Sequence, residues 1–253
     1  MKRHVLLTRR QALITGLTSL GGLLLSGCVK KGPPTYGNIL RMGDALTYAA
    51  QRTLLPGQAL APEYTRSAIS AFPATGTTNP GALLHRGDNP NSPYSEAYAR
   101  LHRDAFRTWA LTIEGRVARP KAYTLAELHG FPARTQITRH TCEEGWTAIA
   151  EWTGVPLGQV LQHAGILPSA RFVNFYAYDG YVHSIDLLDA FHPQTILAYG
   201  MNGQALPTQH GAPLRVRVET QIGYKSVKFL QRIVVTDEFV DRGDSGWAWY
   251  VGI

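Results

Sequence analysis

The stretch Arg139–Trp146 reads Arg139-His140-Thr141-Cys142-Glu143-Glu144-Gly145-Trp146 and holds the only cysteine beyond residue 28. The other cysteine, Cys28, belongs to a processing signal, so Cys142 has no partner for an intramolecular disulfide. In an oxidising compartment a lone thiol is vulnerable unless it is buried, catalytic, metal-bound or paired between chains. The cationic neighbours Arg139 and His140 favour the thiolate. From this stretch alone, a buried core cysteine and a functional cysteine are equally supported.

Residues 1–27 have the features of an export signal. They contain no acidic residue, and basic residues precede an apolar run that is short and interrupted by glycine. Thr8-Arg9-Arg10-Gln11-Ala12-Leu13 matches a twin-arginine signal, and Leu25-Ser26-Gly27-Cys28 resembles a bacterial lipobox. We therefore expect twin-arginine export and lipidation of Cys28, which would anchor the protein on the periplasm-facing side of a bacterial membrane. This route carries folded proteins, often because a cofactor is inserted first.

The charge of the remaining chain is nearly balanced. The full chain has 25 Lys and Arg against 18 Asp and Glu, and removing the four basic residues of 1–27 leaves 21 against 18. This balance argues against a nucleic-acid surface. The remaining length suffices for one substantial core. We divide the chain into a signal (1–27), a tether and irregular lead-in (28–64) and one domain (65–253).

Short helices among many strands predict an α+β fold. Alternating Trp109, Leu111 and Ile113 predict a strand that ends at Gly115, and Thr124-Leu125-Ala126-Glu127 is a capping box. Further strands are predicted over Gln136–Thr141, Phe172–Tyr178, Tyr181–Ile185, Thr195–Tyr199, Leu214–Glu219 and Phe229–Thr236. Short helices are predicted over 44–55, 95–103 and 186–191, and between Pro156 and Gly165. Strands and helices do not alternate regularly, which excludes a doubly wound sheet.

Three segments combine features of a binding site. Ala71–Tyr94 is rich in Pro, Gly, Asn and Thr, and a loop of this length is either disordered or wraps a ligand. His210–Arg215 and Gly223–Lys228 pair glycine with cationic side chains, which favours an anion such as a phosphate. For each of the two clusters alone, turn glycines beside solvated lysines are the plainer interpretation. The second cluster lacks the glycine spacing of a P-loop.

Hydrolase and zinc chemistry are poorly supported. The sequence has no G-x-S-x-G elbow, and its nine histidines show no H-E-x-x-H spacing. A cysteine nucleophile assisted by His140 is an open alternative. However, adjacent strand residues point to opposite faces, so we expect His140 to be badly placed unless the turn rotates it.

Taken together, the motifs resemble the sulfite oxidase superfamily of molybdenum enzymes. The match runs from about Trp109 to Asp237 in family order. It includes Gly115–Pro120, Thr124–Leu128, Cys142–Trp146, Trp152–Leu157, Ala198–Pro207, His210–Arg215 and Gly223–Phe229. The resemblance implies the sulfite-oxidase-type molybdopterin-binding fold, with mixed β-sheets and short helices. We expect the chain to lack the C-terminal immunoglobulin-like domain of sulfite oxidases.

The resemblance also implies roles for single residues. Cys142 would be the catalytic thiolate ligand of one molybdenum, which also binds one molybdopterin. Contacts to the pterin and its phosphate are implied for Arg139, His210, Arg215, Ser226, Val227, Lys228, Thr75 and Thr77.

Departures from the family pattern bear on the substrate. Sulfite-oxidising members carry arginines soon after the ligand cysteine, where this chain has Gly145 and Trp146. The stretch is more similar to the branch of periplasmic methionine-sulfoxide reductase catalytic subunits. That branch has threonine where this chain has Ala177 and asparagine where it has His210.

The implied activity is two-electron oxygen-atom transfer, such as S-oxide reduction, in a molybdenum-cofactor oxidoreductase. The implied partner is a haem-containing or quinone-linked membrane redox protein, with the chain acting as a monomer or as a subunit of a redox complex. Three alternatives are a cofactor-free lipoprotein binding module, a sulfite-type oxidase and a cysteine-nucleophile enzyme. The aromatic tail Trp247-Ala248-Trp249-Tyr250 either closes over the cavity or simply packs.

Overall fold

The computed structural model describes residues 59–82 and 94–237, together with the isolated helical positions 46, 50 and 53. Several predictions therefore lie outside the described residues: the signal, the lipidated Cys28, most of the helix over 44–55 and the aromatic tail. Within the described residues, no helix has the length and apolar character needed to cross a membrane.

The described residues form ten strands and four helices. The strands are β1 (Ala110–Gly115), β2 (Lys121–Thr124), β3 (Arg134–Thr141), β4 (Thr147–Pro156), β5 (Phe172–Ala177), β6 (Val182–Asp186), β7 (Ile196–Met201), β8 (Gln204–Ala205), β9 (Arg215–Arg217) and β10 (Leu230–Thr236). The helices are α1 (Glu96–Arg103), α2 (Leu125–His129), α3 (Leu157–Ala164) and α4 (Leu187–Ala190). Short 3-10 turns cover Arg66–Ala68, Thr208–His210 and Gly223–Lys225.

The strands form two sheets, which confirms the α+β prediction. The first sheet has the order β2-β1-β10-β5-β6, with β1 and β10 parallel and its other neighbours antiparallel. The second has the order β3-β4-β7-β8, and β9 also pairs with β7. The ten-residue strand β4 was not predicted. Its burial follows no simple alternation, because both faces of its middle section are covered.

The second sheet separates a large hydrophobic core from a small one. In β7, Leu197 belongs to the large core, whereas Ile196 and Ala198 belong to the small core around Trp152. Successive side chains of a strand point to opposite faces, so this sheet is buried on both sides. Phe72 packs against the small core and brings the loop after residue 70 onto this face. The small core therefore forms the floor on which a site is built.

Local capping follows the predicted chemistry. The Thr124 side chain accepts from the Glu127 amide, and the Glu127 side chain accepts from the Thr124 amide, so the capping box is confirmed. Gly165 ends α3 with a φ of +76°, a left-handed conformation that suits glycine. Tyr64, at the end of the predicted tether, donates its amide to the Ile137 carbonyl at 2.8 Å, so that end of the tether is packed against β3.

Gly154 marks a close approach of β4 and β7 and allows a direct test of the sheet. A Cβ at this position would lie 2.2 Å from the Leu197 carbonyl oxygen, and the β4–β7 register shifts between Thr153 and Gly154. We expect Gly154→Ala to lower the free energy of unfolding by about 1–3 kcal/mol, the usual cost of overpacking. Denaturant unfolding measures it. Gly130→Ala is the control, because Gly130 caps α2 with an ordinary φ of −73°. Equal midpoints for both variants would contradict the close approach.

Candidate functional site

A cleft of about 210 Å³ opens beside Cys142, over the small core. Five chain segments form its walls: the loop at 72–77, the end of β3 with the turn after it, the turn between β5 and β6, the loop that leads into β9, and the Gly223–Lys228 segment. These segments are distant in sequence but meet where the second sheet ends. Eight predicted site residues line the cleft: Cys142, His210, Arg215, Ser226, Val227, Lys228, Thr75 and Thr77.

Arg139 is the predicted site residue that the structure does not bring to the cleft. Its side chain is exposed, and its guanidinium lies 5.4 Å from the ring centre of Tyr64. The reason is the alternation of β3, which turns His140 inward and Arg139 outward. The position of Arg139 next to the cysteine in sequence therefore does not place its charge in the site.

Cys142 sits at the turn that joins β3 and β4. Its amide donates to the Trp146 carbonyl at 3.0 Å and its carbonyl accepts from the Gly145 amide at 3.1 Å, with Gly145 at a φ of +90°. The cysteine is 8% exposed, and its Sγ lies 3.5 Å from Glu143 Oε2. Burial, with added repulsion from Glu143 and Glu144, raises the pKa of the Cys142 thiol to about 11. This corrects the expectation of a thiolate set by cationic neighbours: at neutral pH the metal-free protein carries a thiol, and a metal would displace its proton.

Lys228 lines the same cleft as the Cys142 thiol. Its ammonium donates to the Thr75 carbonyl at 2.8 Å and to the Thr77 carbonyl at 2.5 Å, which fixes residues 75–77 against the cleft. A Cβ on Gly211 would lie 2.9 Å from Lys228 Cβ, so glycine permits the two predicted clusters to pack together. Burial, followed by the nearby Arg215, lowers the pKa of Lys228 to about 8.

Arg215 is buried at the inner end of the cleft. One Nη donates to the His210 carbonyl at 3.0 Å and the other to the Ser226 carbonyl at 2.9 Å, whereas the buried Nε has no hydrogen-bond partner among the described residues. Burial lowers the pKa of Arg215 well below its usual value. Neither Arg215 nor Lys228 forms an ion pair within the described part of the chain. Arg215 is buried, and Lys228 is half-buried near the carboxylate of Asp179. Cations withdrawn from water without an ion-pair partner favour a bound anion such as a phosphate.

The donor set thus fits a molybdopterin-type group. A soft thiolate suits molybdenum, and the two cations with the Ser226 hydroxyl suit the phosphate. In residues 59–82 and 94–237, no group of three or more His, Cys, Asp and Glu side chains is arranged to hold a metal ion. A metal at Cys142 would therefore take further ligands from a non-protein group.

The pKa of Lys228 predicts how anion binding depends on pH. Lys228 is charged below about pH 8 and neutral above it, whereas burial lowers the pKa of His210 to about 4, so His210 is neutral throughout. Lys225 also has a pKa lowered to about 8 by burial, but its ammonium donates to the Ser184 carbonyl at 2.8 Å, outside the cleft lining. We expect the metal-free protein to bind sulfate, whose charge is constant here, about tenfold more weakly at pH 9.5 than at pH 6.5.

Isothermal titration calorimetry measures this change. Lys228→Met should remove most of the pH dependence, while Lys121→Met, which removes a partly exposed ammonium paired with Glu127, should leave it intact. A pH dependence that survives in Lys228→Met would assign it to another group.

Four site residues were not identified from the sequence: Trp152, Arg217, Glu219 and, as a lining residue, His140. Arg215 and Arg217 lie 5.1 and 4.6 Å from the ring centre of Trp152, and Arg217 binds both carboxylate oxygens of Glu219. His140 lines the same cleft as Cys142, because residues 140 and 142 are two apart and share a face, whereas the expectation had placed the two side chains on opposite faces. The available signal was the alternation of Arg215, Arg217 and Glu219 along a predicted strand.

Comparison with known proteins gives the family. The model of the oxidoreductase molybdopterin binding domain matches residues 98–242, more than half of the chain. A candidate protein-methionine-sulfoxide reductase subunit, YedZ1 of Azospira oryzae, is 34% identical over 99% of this chain and 90% of its own length. The protein-methionine-sulfoxide reductase catalytic subunit MsrP of Ralstonia nicotianae is 30% identical over 74% of this chain, which spans 65% of that relative.

A solved structure supports the same fold. The sulfane dehydrogenase SoxCD from Paracoccus pantotrophus superposes with a TM-score of 0.52 at 25% identity, over 55% of this chain and 41% of that chain. The cleft, with its thiol and its two cations, falls within the segment matched by the domain model and the loop at 72–77 that precedes this segment.

Proposed function

Because the chain belongs to the oxidoreductase molybdopterin-binding domain family of the sulfite oxidase superfamily, and is thus a molybdopterin-dependent oxidoreductase, we propose that it reduces S-oxides at its surface cleft. One observation carries the proposal: a buried thiol, the buried Arg215 and the half-buried Lys228 converge on one cleft, and neither cation has an ion-pair partner among the described residues. In the proposed function, the thiol would bind the metal and the two cations would bind the phosphate.

Different cleft residues would bind different parts of the cofactor. When bound, one molybdenum with one molybdopterin supplies two-electron oxygen-atom transfer. Cys142 would hold the metal, and Arg215, Ser226 and Lys228 would hold the phosphate. His210, Val227, Thr75 and Thr77 line the cleft, where they would exclude water around the pterin.

The walls of the cleft suit an uncharged sulfur substrate. Phe72 contacts His140, Trp146 and His210 with ring-centre distances of 5.1, 5.5 and 5.4 Å, which makes an aromatic wall beside the thiol. Neither Gly145 nor Trp146 offers the positive charge that would attract sulfite. The relatives are named for protein-methionine sulfoxide, and a thioether S-oxide combines an apolar body with one acceptor oxygen. This supports an S-oxide of methionine type as the substrate.

The reaction needs an electron donor. Reduction of an S-oxide takes two electrons and two protons and yields a thioether and water. We propose that a haem-containing or quinone-linked membrane protein supplies the electrons. Export by the twin-arginine signal and a lipid at Cys28 would hold the enzyme at the periplasmic face beside that partner.

Analysis of molybdenum and pterin content tests whether the protein is a molybdopterin enzyme, and an activity assay tests whether S-oxides are its substrates. We expect about one molybdenum and one pterin per exported chain, together with methionine-sulfoxide reduction by a reduced viologen dye. Sulfite oxidation in place of S-oxide reduction would promote the sulfite-type oxidase. A folded, exported protein without molybdenum and pterin would reject the enzyme and promote the lipoprotein binding module.

A further inference from the structure

His140 is a cleft residue whose hydrogen-bonding state is fixed by a buried neighbour. Arg217 Nη1 lies 2.5 Å from His140 Nδ1. A guanidinium only donates, so Nδ1 must accept and the ring proton must reside on Nε2. The Arg217–His140 contact therefore selects one tautomer of a neutral imidazole.

The orientation of the Arg217 guanidinium is fixed by its other contacts. Its Nε and second Nη donate to the two carboxylate oxygens of Glu219 at 3.1 and 2.9 Å, and the two side chains are 1% and 0% exposed. Gln136 also donates to Glu219 at 3.1 Å, and the Trp152 ring covers the Arg217 guanidinium. A bidentate, buried pair of this kind has one geometry. The remaining Arg217 nitrogen, Nη1, therefore points towards His140.

The other edge of His140 is left free for a ligand. Among the described residues, Nε2 has no hydrogen-bond partner, although the side chain is more than nine-tenths buried and lines the cleft. Gly223 faces this edge, and a Cβ there would lie 2.6 Å from Nε2. Because Gly223 has no side chain, the space beside Nε2 that a Cβ would fill stays open at the cleft wall.

We propose that His140 is a fixed-tautomer hydrogen-bond donor to the group bound in the cleft, and that Arg217 is its positioning residue. This inference rests on the proposed function and names a contact within the same site. The acceptor is an uncharged or anionic oxygen or nitrogen atom. Two sources have that chemistry, the S-oxide oxygen of the substrate and a heteroatom of the pterin.

Nitrogen-15 NMR of the histidine-labelled full-length protein tests the tautomer without any activity measurement. We expect a non-protonated Nδ1 and a protonated Nε2 for His140, assigned by its disappearance in His140→Gln. A protonated Nδ1 would overturn the inference.

Substitution then tests the donor. His140→Phe keeps a ring but removes the donor, and we expect a threefold to tenfold loss, the usual size for one hydrogen bond. A loss in kcat/KM at unchanged pterin content places the acceptor on the substrate, and a loss of pterin content places it on the pterin. His140→Gln, which retains a donor amide, should recover most of the loss. Gly223→Ala, which places a methyl group against Nε2 while keeping the imidazole in the chain, should act like His140→Phe.

The control is His129→Phe, because His129 is exposed and stacks on Tyr199 away from this cleft. Wild-type values in both His140→Phe and Gly223→Ala, or a His140→Gln no better than His140→Phe, would reduce His140 to a packing residue. A wild-type protein without molybdenum and pterin would overturn the proposed function instead, and the NMR measurement would still decide the tautomer.

Discussion

Cys142→Ser is expected to lower S-oxide reduction by more than about 100-fold while leaving the protein folded. Changing a residue in the outer shell of a metal site typically costs 10–100-fold, and loss of the protein ligand itself should exceed that. A serine hydroxyl is a hard and weakly acidic donor, so it does not replace a soft thiolate. The side chain is of similar size, and a serine hydroxyl can keep the contact that the thiol makes with Glu143, so the fold should survive. Molybdenum content and methionine-sulfoxide reduction are measured together.

The matched control for this variant is Thr141→Ser. Thr141 precedes the cysteine on β3 with an exposed side chain, so its change should alter neither metal content nor activity. Full activity in Cys142→Ser would remove the thiol from the mechanism and with it the predicted metal ligand. A variant that retains molybdenum but loses activity would show that Cys142 tunes the metal rather than holding it.

Trp152→Ala is expected to have the largest effect on stability, about 3–5 kcal/mol in the free energy of unfolding. The side chain is fully buried at the centre of the small core, with Phe72 at 5.4 Å on its edge and two guanidiniums against its ring. Its removal opens a cavity and deprives Arg215 and Arg217 of a cation–π partner. Denaturant titration at an unchanged m-value measures the loss.

Trp152→Phe separates the ring from the indole nitrogen. The buried Nε1 has no hydrogen-bond partner among the described residues, so replacing it forfeits no hydrogen bond. We expect this variant to lose less than half as much stability as Trp152→Ala and to retain sulfate binding. Equal losses in both variants would mean that the arginines do not depend on an aromatic face.

Most of the first sheet was predictable because β1, β5, β6 and β10 carry their own patterns, whereas the four-residue β2 was not predicted. Trp109, Leu111 and Ile113 alternate, and Asp179-Gly180 makes a hairpin turn between two strands. β4 was missed because a strand covered on both faces shows no alternation, and Glu151 within it looks like a surface residue. That carboxylate is buried and is paired with Arg66 at 2.6 Å, a partner that local sequence does not reveal.

Site residues were predictable where residue type alone indicates the role, and not where the role depends on a contact with a side chain distant in sequence. Glycines beside cations indicated an anion site, and the cleft contains Arg215 and Lys228 as expected. Arg139 lies outside the cleft, because the alternation of β3 turns its side chain outward. Its closeness to Cys142 in sequence did not reveal this orientation. The His140–Arg217 contact joins residues 77 positions apart, and single-sequence patterns contain no signal for such a pair.

The position of β10 sets the order in which this protein can be completed. β10 lies between β1 and β5 and hydrogen-bonds to both, so the two earlier parts of the first sheet meet only through residues 230–236. During synthesis, therefore, two strand pairs, β1–β2 and β5–β6, stay unconnected until residues 230–236 have left the ribosome. Such long-range pairing is slow to form. A nascent chain interrupted before Leu230 would expose two unpaired strand edges and a core open along its middle, and is the form on which chaperones and proteases would act.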